Sequence, residues 1–377
     1  MLKAVRSMLT VTLSVAALTP IMHAANDFTG SDSTVFVMTN DSLKNEVLAY
    51  QRLYDGRFTL RGSFDTDGRG SGGTTDPLQS QGSLTLSGDH SLLFAINAGS
   101  GTISSFHIVH GLPLLVDKKP TGGAFPVAVA EHSGTVYVLN AGGNGAIVAF
   151  RADGLGRLHE IPKSLTHLTA TNSGGSSISV SPNGRTLVVI EKAPNNIDTF
   201  AIHPDGTLGT VVINHSVTPG VFAGVFTPNG QLVVSENQPN SGTDTSSISS
   251  YTINTNGTLT AISQSIPTDG NGNCWNAITP NGKWVYSDNS GTSTVAGFSV
   301  DSNGALTPID GTVLFSNPAG TTNLDMATSG DSKFLYTMDS GAGTVSIFSI
   351  DSDGTLTSFG VIDDLPKTVG FNGIAAL

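Results

Sequence analysis

The chain has 377 residues, 45 of them glycine, and no long segment after the first 25 residues keeps the apolar spacing of a helix, so an almost helix-free fold is expected. Its 29 acidic and 17 basic residues give a formal net charge of −12, which disfavours nucleic acid and the anionic membrane face as partners. The single cysteine, Cys274, excludes an internal disulfide and reads, beside Trp275, as a small buried apolar filler.

Lys3 and Arg6 precede an apolar run over 8–17, then Pro20 and small residues at Ala24 and Ala25. That is the pattern of a secretory signal peptide over 1–24, the run being shorter than the ~20 residues needed to span a bilayer. The mature chain is expected in the periplasm or secreted, with no membrane contact after cleavage. Losing the two cations lowers its net charge to −14.

Residues 27–377 are built from one repeated unit, clearest over 177–208, SISVSPNGRTLVVIEKAPNNIDTFAIHPDGTL. Two β-branched runs flank a Pro-Asn-Gly turn, a third strand ends in Phe200, and the Asp-Gly turn at 205–206 leads into a fourth. The third-strand aromatic recurs at Tyr50, Phe106, Phe150, Phe200, Tyr251, Phe298 and Phe348. A turn glycine follows each one, at Gly56, Gly111, Gly154, Gly206, Gly257, Gly304 and Gly354. Copies spaced near 50 residues predict an all-β, seven-bladed β-propeller with four antiparallel strands per blade.

In chain order, residues 33–40 match a second strand with no first strand before it. Residues 373–377, GIAAL, resemble a lone first strand after the seventh set, so the C-terminal strand is expected to complete blade 1 and close the ring. Pro-Asn-Gly at 182–184, 228–230 and 280–282 are first-to-second strand turns in blades 4, 5 and 6. Alternating strand direction puts those short turns on one face. It puts the longer segments 65–81, 162–175, 238–245, 268–273 and 317–323 on the other, where a channel mouth and a binding site are expected.

The last residue of each second strand falls on that mouth face: Thr39, Asn97, Asn140, Glu191, Glu236, Asn289 and Asp339. Asn and Asp there can cap the turn into strand three. Glu caps such turns poorly, which makes Glu236 and Glu191 the candidates for a catalytic base or acid. Asn97, Asn140, Asn276, Asn289, Asn323 and Asp339 are the candidate substrate contacts, suited to sugar hydroxyls. Arg69 joins them, in a Gly-rich run that could swing it over the mouth. No cofactor is expected. Calcium is the one metal weighed, since Asp65, Asp67 and Gly68 match part of a calcium loop whose other ligand positions are absent. His107, His110 and His132 have no metal-ligand spacing and fall near turns of the opposite face.

The pattern SVSPNGRTLVV followed by NNIDTFAIHPDGTL resembles the seven-bladed lactonase family that includes 6-phosphogluconolactonase-type and 3-carboxymuconate-cyclase-like proteins. The resemblance implies opening of a lactone ring, or the reverse cyclisation, with one His, two Arg and one Glu at the mouth. Glu236 matches the Glu. The His position falls near 174–177, which has none, with His167 nearest. The Arg positions fall near 218–222, with no Arg, and 273–276, where Cys274 and Trp275 stand. A phosphorylated lactone needs cationic donors, so an uncharged sugar-type lactone is the expected substrate. The alternative is a non-catalytic propeller binding a glycan, small molecule or protein at the same mouth. A monomer is expected.

Overall fold

The computed structural model describes residues 33–238, 242–365 and 370–377, so the signal-peptide reading lies outside the described residues. Among them the chain forms seven antiparallel sheets and no α-helix. No helix there is long and apolar enough to cross a membrane. The first strands form a ring in which each neighbours those of the blades before and after it, closing between Ile374–Ala376 and Leu84–Leu86.

The closure occurs as the C-terminal sequence suggests. Ile374–Ala376 pairs antiparallel with Thr34–Met38, setting Val35 opposite Ala376, Phe36 opposite Ala375 and Val37 opposite Ile374. Leu377 N donates to Thr34 O at 3.0 Å and Met38 N to Gly373 O at 3.0 Å. Blade 1 is thus one sheet made from both ends of the described chain, and the edge of Thr34–Met38 is covered.

All seven third-strand aromatics lie in third strands and are buried. They enter clusters that span neighbouring blades: Tyr50 and Phe348 share one with the second-strand residues Tyr286 and Tyr336, and Phe200 joins the second-strand Tyr137 in another. Alternating side chains on a sheet stacked between two others are apolar on both faces, so the inner strands read as near-continuous apolar runs. Turn glycines take the left-handed backbone at Gly206 (φ 90) and Gly354 (φ 88), which a Cβ disfavours. In blade 3 the sequence reading is corrected: Gly156 (φ 96), rather than Gly154, holds that position, because its N–H closes the turn onto Asp153 O at 2.8 Å.

Blade 4 departs from the four-strand pattern. Its regular strands are Gly175–Val180, Thr186–Glu191 and Asn196–Ala201. Its outer edge is held by isolated bridges from His215, Val212 and Leu208 to Asn196, Thr199 and Ile202. In blade 3 the outer edge is broken into Leu158–Glu160 and Thr166–His167, both on Ala146–Ala152. Part of the segment expected as a mouth loop is therefore sheet edge.

Candidate functional site at the channel mouth

The ends of the second strands are buried, and their partners explain them. Thr66, Thr121 and Thr268 each follow a fourth strand by one residue. Each hydroxyl donates to an Asn Oδ1 at the end of the second strand in the next blade: Asn97 at 2.7 Å, Asn140 at 2.6 Å and Asn289 at 2.8 Å. Two residues past each Thr stands a glycine, and a Cβ on Gly68, Gly123 or Gly270 would come within 2.3 to 2.6 Å of that Asn side chain. Thr-x-Gly to Asn is therefore a repeated clasp between consecutive blades.

The carboxylates occupy the same position in their own blades. Glu236 accepts from Ser216 Oγ at 2.9 Å, Ser247 Oγ at 2.6 Å and Ser249 Oγ at 3.0 Å. Glu191 Oε1 accepts from Thr169 N at 3.0 Å and Thr169 Oγ1 at 2.9 Å. Asp339 accepts from Ser346 Oγ at 2.6 Å and Asn317 Nδ2 at 3.1 Å. These partners sit on third strands and on connections from the preceding blade. Glu191 and Glu236, expected at the opening, are both fully buried. Second-strand side chains alternate toward neighbouring blades, and the carboxylates follow that alternation.

Burial pushes the Glu236 carboxyl up, only partly offset by the hydroxyls of Ser247, Ser249, Ser216 and Thr218. Glu191 and Asp198 form a buried acid pair. Burial together with Glu191 drives Asp198 up to about 9, while Glu191, although burial raises it, is held low by bonds from Asp198, Ser173 and Thr169. The two carboxyls resist ionising together out of water, so the proton stays with Asp198 while Glu191 ionises.

The mouth itself is filled by the chain. The first strands of blades 3, 4 and 6 each carry a bulge, skipping Val127, Ser176 and Cys274 in the ladder. A bulge frees backbone groups that then need partners. Residues 76–81 supply them. Ser80 Oγ donates to Val127 O at 2.9 Å, Gln81 N to Ser176 O at 2.9 Å, and Trp275 Nε1 to Ser80 O at 2.9 Å. Gln81 Nε2 reaches Asn276 O at 2.6 Å. Leu78 and Ser80 are buried. The segment is a plug bonded to blades 3, 4 and 6, and through Asn372 Nδ2 on Asp76 Oδ1 (3.2 Å) to the closing strand of blade 1.

Beside the plug stands a group of residues that sequence reading did not single out. Lys192 Nζ donates to Gln79 O at 2.9 Å and lies 5.1 Å from the centre of the Phe222 ring. Asp76 Oδ1 also accepts from Gln79 N at 2.9 Å. Burial lifts the Asp76 carboxyl to about 7 against the pull of Lys192, and burial lowers Lys192 against the pull of Asp76. Cys274 is buried with its thiol pushed up to about 12, by burial first and then by the Asp76 charge, in keeping with a filler role. The available signal was positional: Asp76 lies in the longest predicted mouth segment, and Lys192 directly follows Glu191.

The remaining candidates fall as follows. Asn323 is buried, bonded to Asn317 and, at 3.4 Å, to Asp288. Asn276 is buried with its amide 2.7 Å from Ser287 Oγ, and only its backbone meets the plug. Arg69 is exposed, but its backbone is fixed: its N–H donates to Ser100 Oγ, and its carbonyl accepts from Gly99 N. Gly70 is pressed on Asn40 and Gly99 on Gly70, so the glycines permit close approach rather than a swing of Arg69. Among the described residues no group of three or more His, Cys, Asp or Glu could hold a metal ion. Asp67 instead pairs with Lys118 Nζ at 2.7 Å.

Residues 144–269 match the family described as lactonase, 7-bladed beta-propeller. No curated protein matches. Similar solved structures include a protein of Bacteroides uniformis ATCC 8492 provisionally assigned as a 6-phosphogluconolactonase, with 19% identity over 90% of this chain and 100% of that one, TM-score 0.69. A protein of Bacteroides fragilis NCTC 9343 with the same provisional assignment shares 18% identity over 93% and 99%, TM-score 0.64. The periplasmic gluconolactonase of Pseudomonas aeruginosa shares 15% over 90% and 98%, TM-score 0.66. At these identities the likenesses speak to the fold. The chain is a seven-bladed β-propeller, and its residues 144–269 are similar to the family described as lactonase, 7-bladed beta-propeller.

Proposed function

We propose that the protein is an exported hydrolase that opens an unphosphorylated, sugar-type lactone beside the plug, with Asp76 activating water. The observation that carries this reading is Asp76 itself: a half-buried carboxyl lifted to about 7, next to the Lys192 ammonium. A general base works best when its pKa lies near the working pH. Asp76 takes a proton from water as the oxygen attacks the lactone carbonyl, and the Lys192 cation faces the oxyanion that forms. Collapse breaks the ring C–O bond, and Asp76 returns the proton to the departing alkoxide, giving a hydroxy acid.

The likeness to a periplasmic gluconolactonase and the signal-like N-terminus support export and an uncharged sugar lactone. The mouth offers one lysine and no arginine among the residues that contact the plug, a poor complement to a phosphate. The test is acid release from gluconolactone above the spontaneous rate. Wild type is expected to exceed buffer, Asp76→Asn to lose about 100-fold or more, and Glu236→Gln to keep kcat while melting lower. A wild-type rate equal to buffer across a panel of lactones would leave a binding propeller. Full activity in Asp76→Asn together with loss in Glu236→Gln would return the base to Glu236.

A further inference from the structure

On the face opposite the plug, where blade 4 lacks a regular outer strand, a groove of about 1030 Å³ opens between blades 3 and 5. Its walls are the first-to-second and third-to-fourth turns of these blades. Two arginines and two histidines line it, Arg151, Arg185, His132 and His203, and no Asp or Glu does. That is a local reversal in a chain with 29 acidic and 17 basic residues.

Arg151 and His132 are held by the fold. Arg151 is bonded to Thr135 Oγ1. The His132 ring packs so closely on Gly184 that a Cβ there would come within 2.6 Å of it. Arg185 follows that turn and is exposed. Asp205, in the same turn as His203 but outside the lining, accepts at Oδ1 from Thr207 N and Oγ1, at 3.0 and 2.7 Å, and its charge also reaches His203 and Tyr137 of the groove. The lining also holds Asn183, Asn254, Asn256 and Thr210, whose amides and hydroxyl suit sugar hydroxyls.

We propose that this groove is a second binding site, for a small anionic sugar whose carboxylate or phosphate meets Arg151 and Arg185 while its hydroxyls meet the amides. Planar guanidinium groups bind either anion through paired N–H donors. The cavity volume suits a ligand of about two sugar rings. The site stands independently of the reaction at the mouth.

Titration calorimetry with the full mature protein tests it, using digalacturonate, glucose 6-phosphate, inorganic phosphate and cellobiose as probes. The expected result is that one or both charged sugars bind, at least about tenfold more tightly than cellobiose or inorganic phosphate. Whichever binds tells a carboxylate from a phosphate source. Arg151→Ser/Arg185→Ser should abolish that binding with the melt and lactone hydrolysis unchanged. Should the double variant misfold, the exposed Arg185→Glu alone is expected to weaken binding about tenfold or more. No binding of either charged sugar, equal binding of inorganic phosphate, or binding indifferent to both variants would overturn the proposal.

Discussion

Gln81 and Asn276 meet as though they were two strands: the Gln81 carboxamide donates from Nε2 to Asn276 O at 2.6 Å, and Oε1 accepts from Asn276 N at 3.1 Å. One side chain from the blade 1 to blade 2 connection thereby satisfies both backbone groups of a residue in blade 6. The plug is pinned at its far end, and Asp76 is placed relative to Lys192 as a consequence.

Gln81→Ala should release that end. Loss of both bonds leaves a buried backbone pair unsatisfied and is expected to cost about 1–3 kcal/mol. KM for a lactone should change more than kcat, because the chemical groups remain. Thermal denaturation with steady-state kinetics checks both. A variant with unaltered stability and KM would show the plug to be incidental.

Ring closure makes a sharper prediction. Deleting residues 373–377 removes Ile374 and Leu377, two buried side chains each contributing about 1.5–3 kcal/mol, and exposes the Thr34–Met38 edge. Aggregation or loss of a cooperative melt is expected by light scattering and calorimetry. An unchanged melt would refute the closure as a source of stability.

The inter-blade clasp is tested by Gly270→Ala. Its Cβ would come within 2.4 Å of the Asn289 amide, so either the clasp opens or the connection shifts. A loss of about 1–3 kcal/mol is expected by denaturant titration. Gly143→Ala is no control despite its open surroundings, because φ there is 62; Gly360→Ala, with open space and no positive φ, should be nearly neutral.

The buried acids set a pH dependence of stability. Asp198 stands at about 9, Asp325 at about 7 and Asp339 at about 6, each raised first by burial. In the unfolded chain such carboxyls titrate near ~4. The folded state therefore holds more protons between about pH 4 and each raised value, and stability falls as pH rises through that interval. Glu191, held low, acts in the opposite sense and matters only as pH drops through the ordinary carboxylate range. The melting temperature is expected to be higher at pH 5 than at pH 8, and Asp198→Asn, which mimics the protonated form, should flatten the decline. A flat or rising profile from pH 5 to 8 in the wild type would contradict the assignment.

Much of this architecture was legible from spacing alone. Tyr50 through Phe348 marked seven third strands, and residues 373–377 announced the closing strand, because blade contacts are between sequence neighbours and each repeat must bury its own aromatic. The polar ends of the second strands were legible as positions and not as roles. Asn97, Asn140 and Asn289 meet a threonine from the preceding connection, a partner that no local pattern around the asparagine names.

Sequence by itself determined the repeat, the number of blades and the acidity, since these follow from local apolar alternation, turn chemistry and composition. Only the tertiary structure decided that residues 76–81 fill the mouth, that Asp76 stands beside Lys192, and that Arg151 and Arg185 share a groove. Those pairings join residues far apart in the chain, and they depend on which backbone groups the bulges leave unpaired and where an irregular outer edge leaves space. Neither circumstance is written in the period of the repeat.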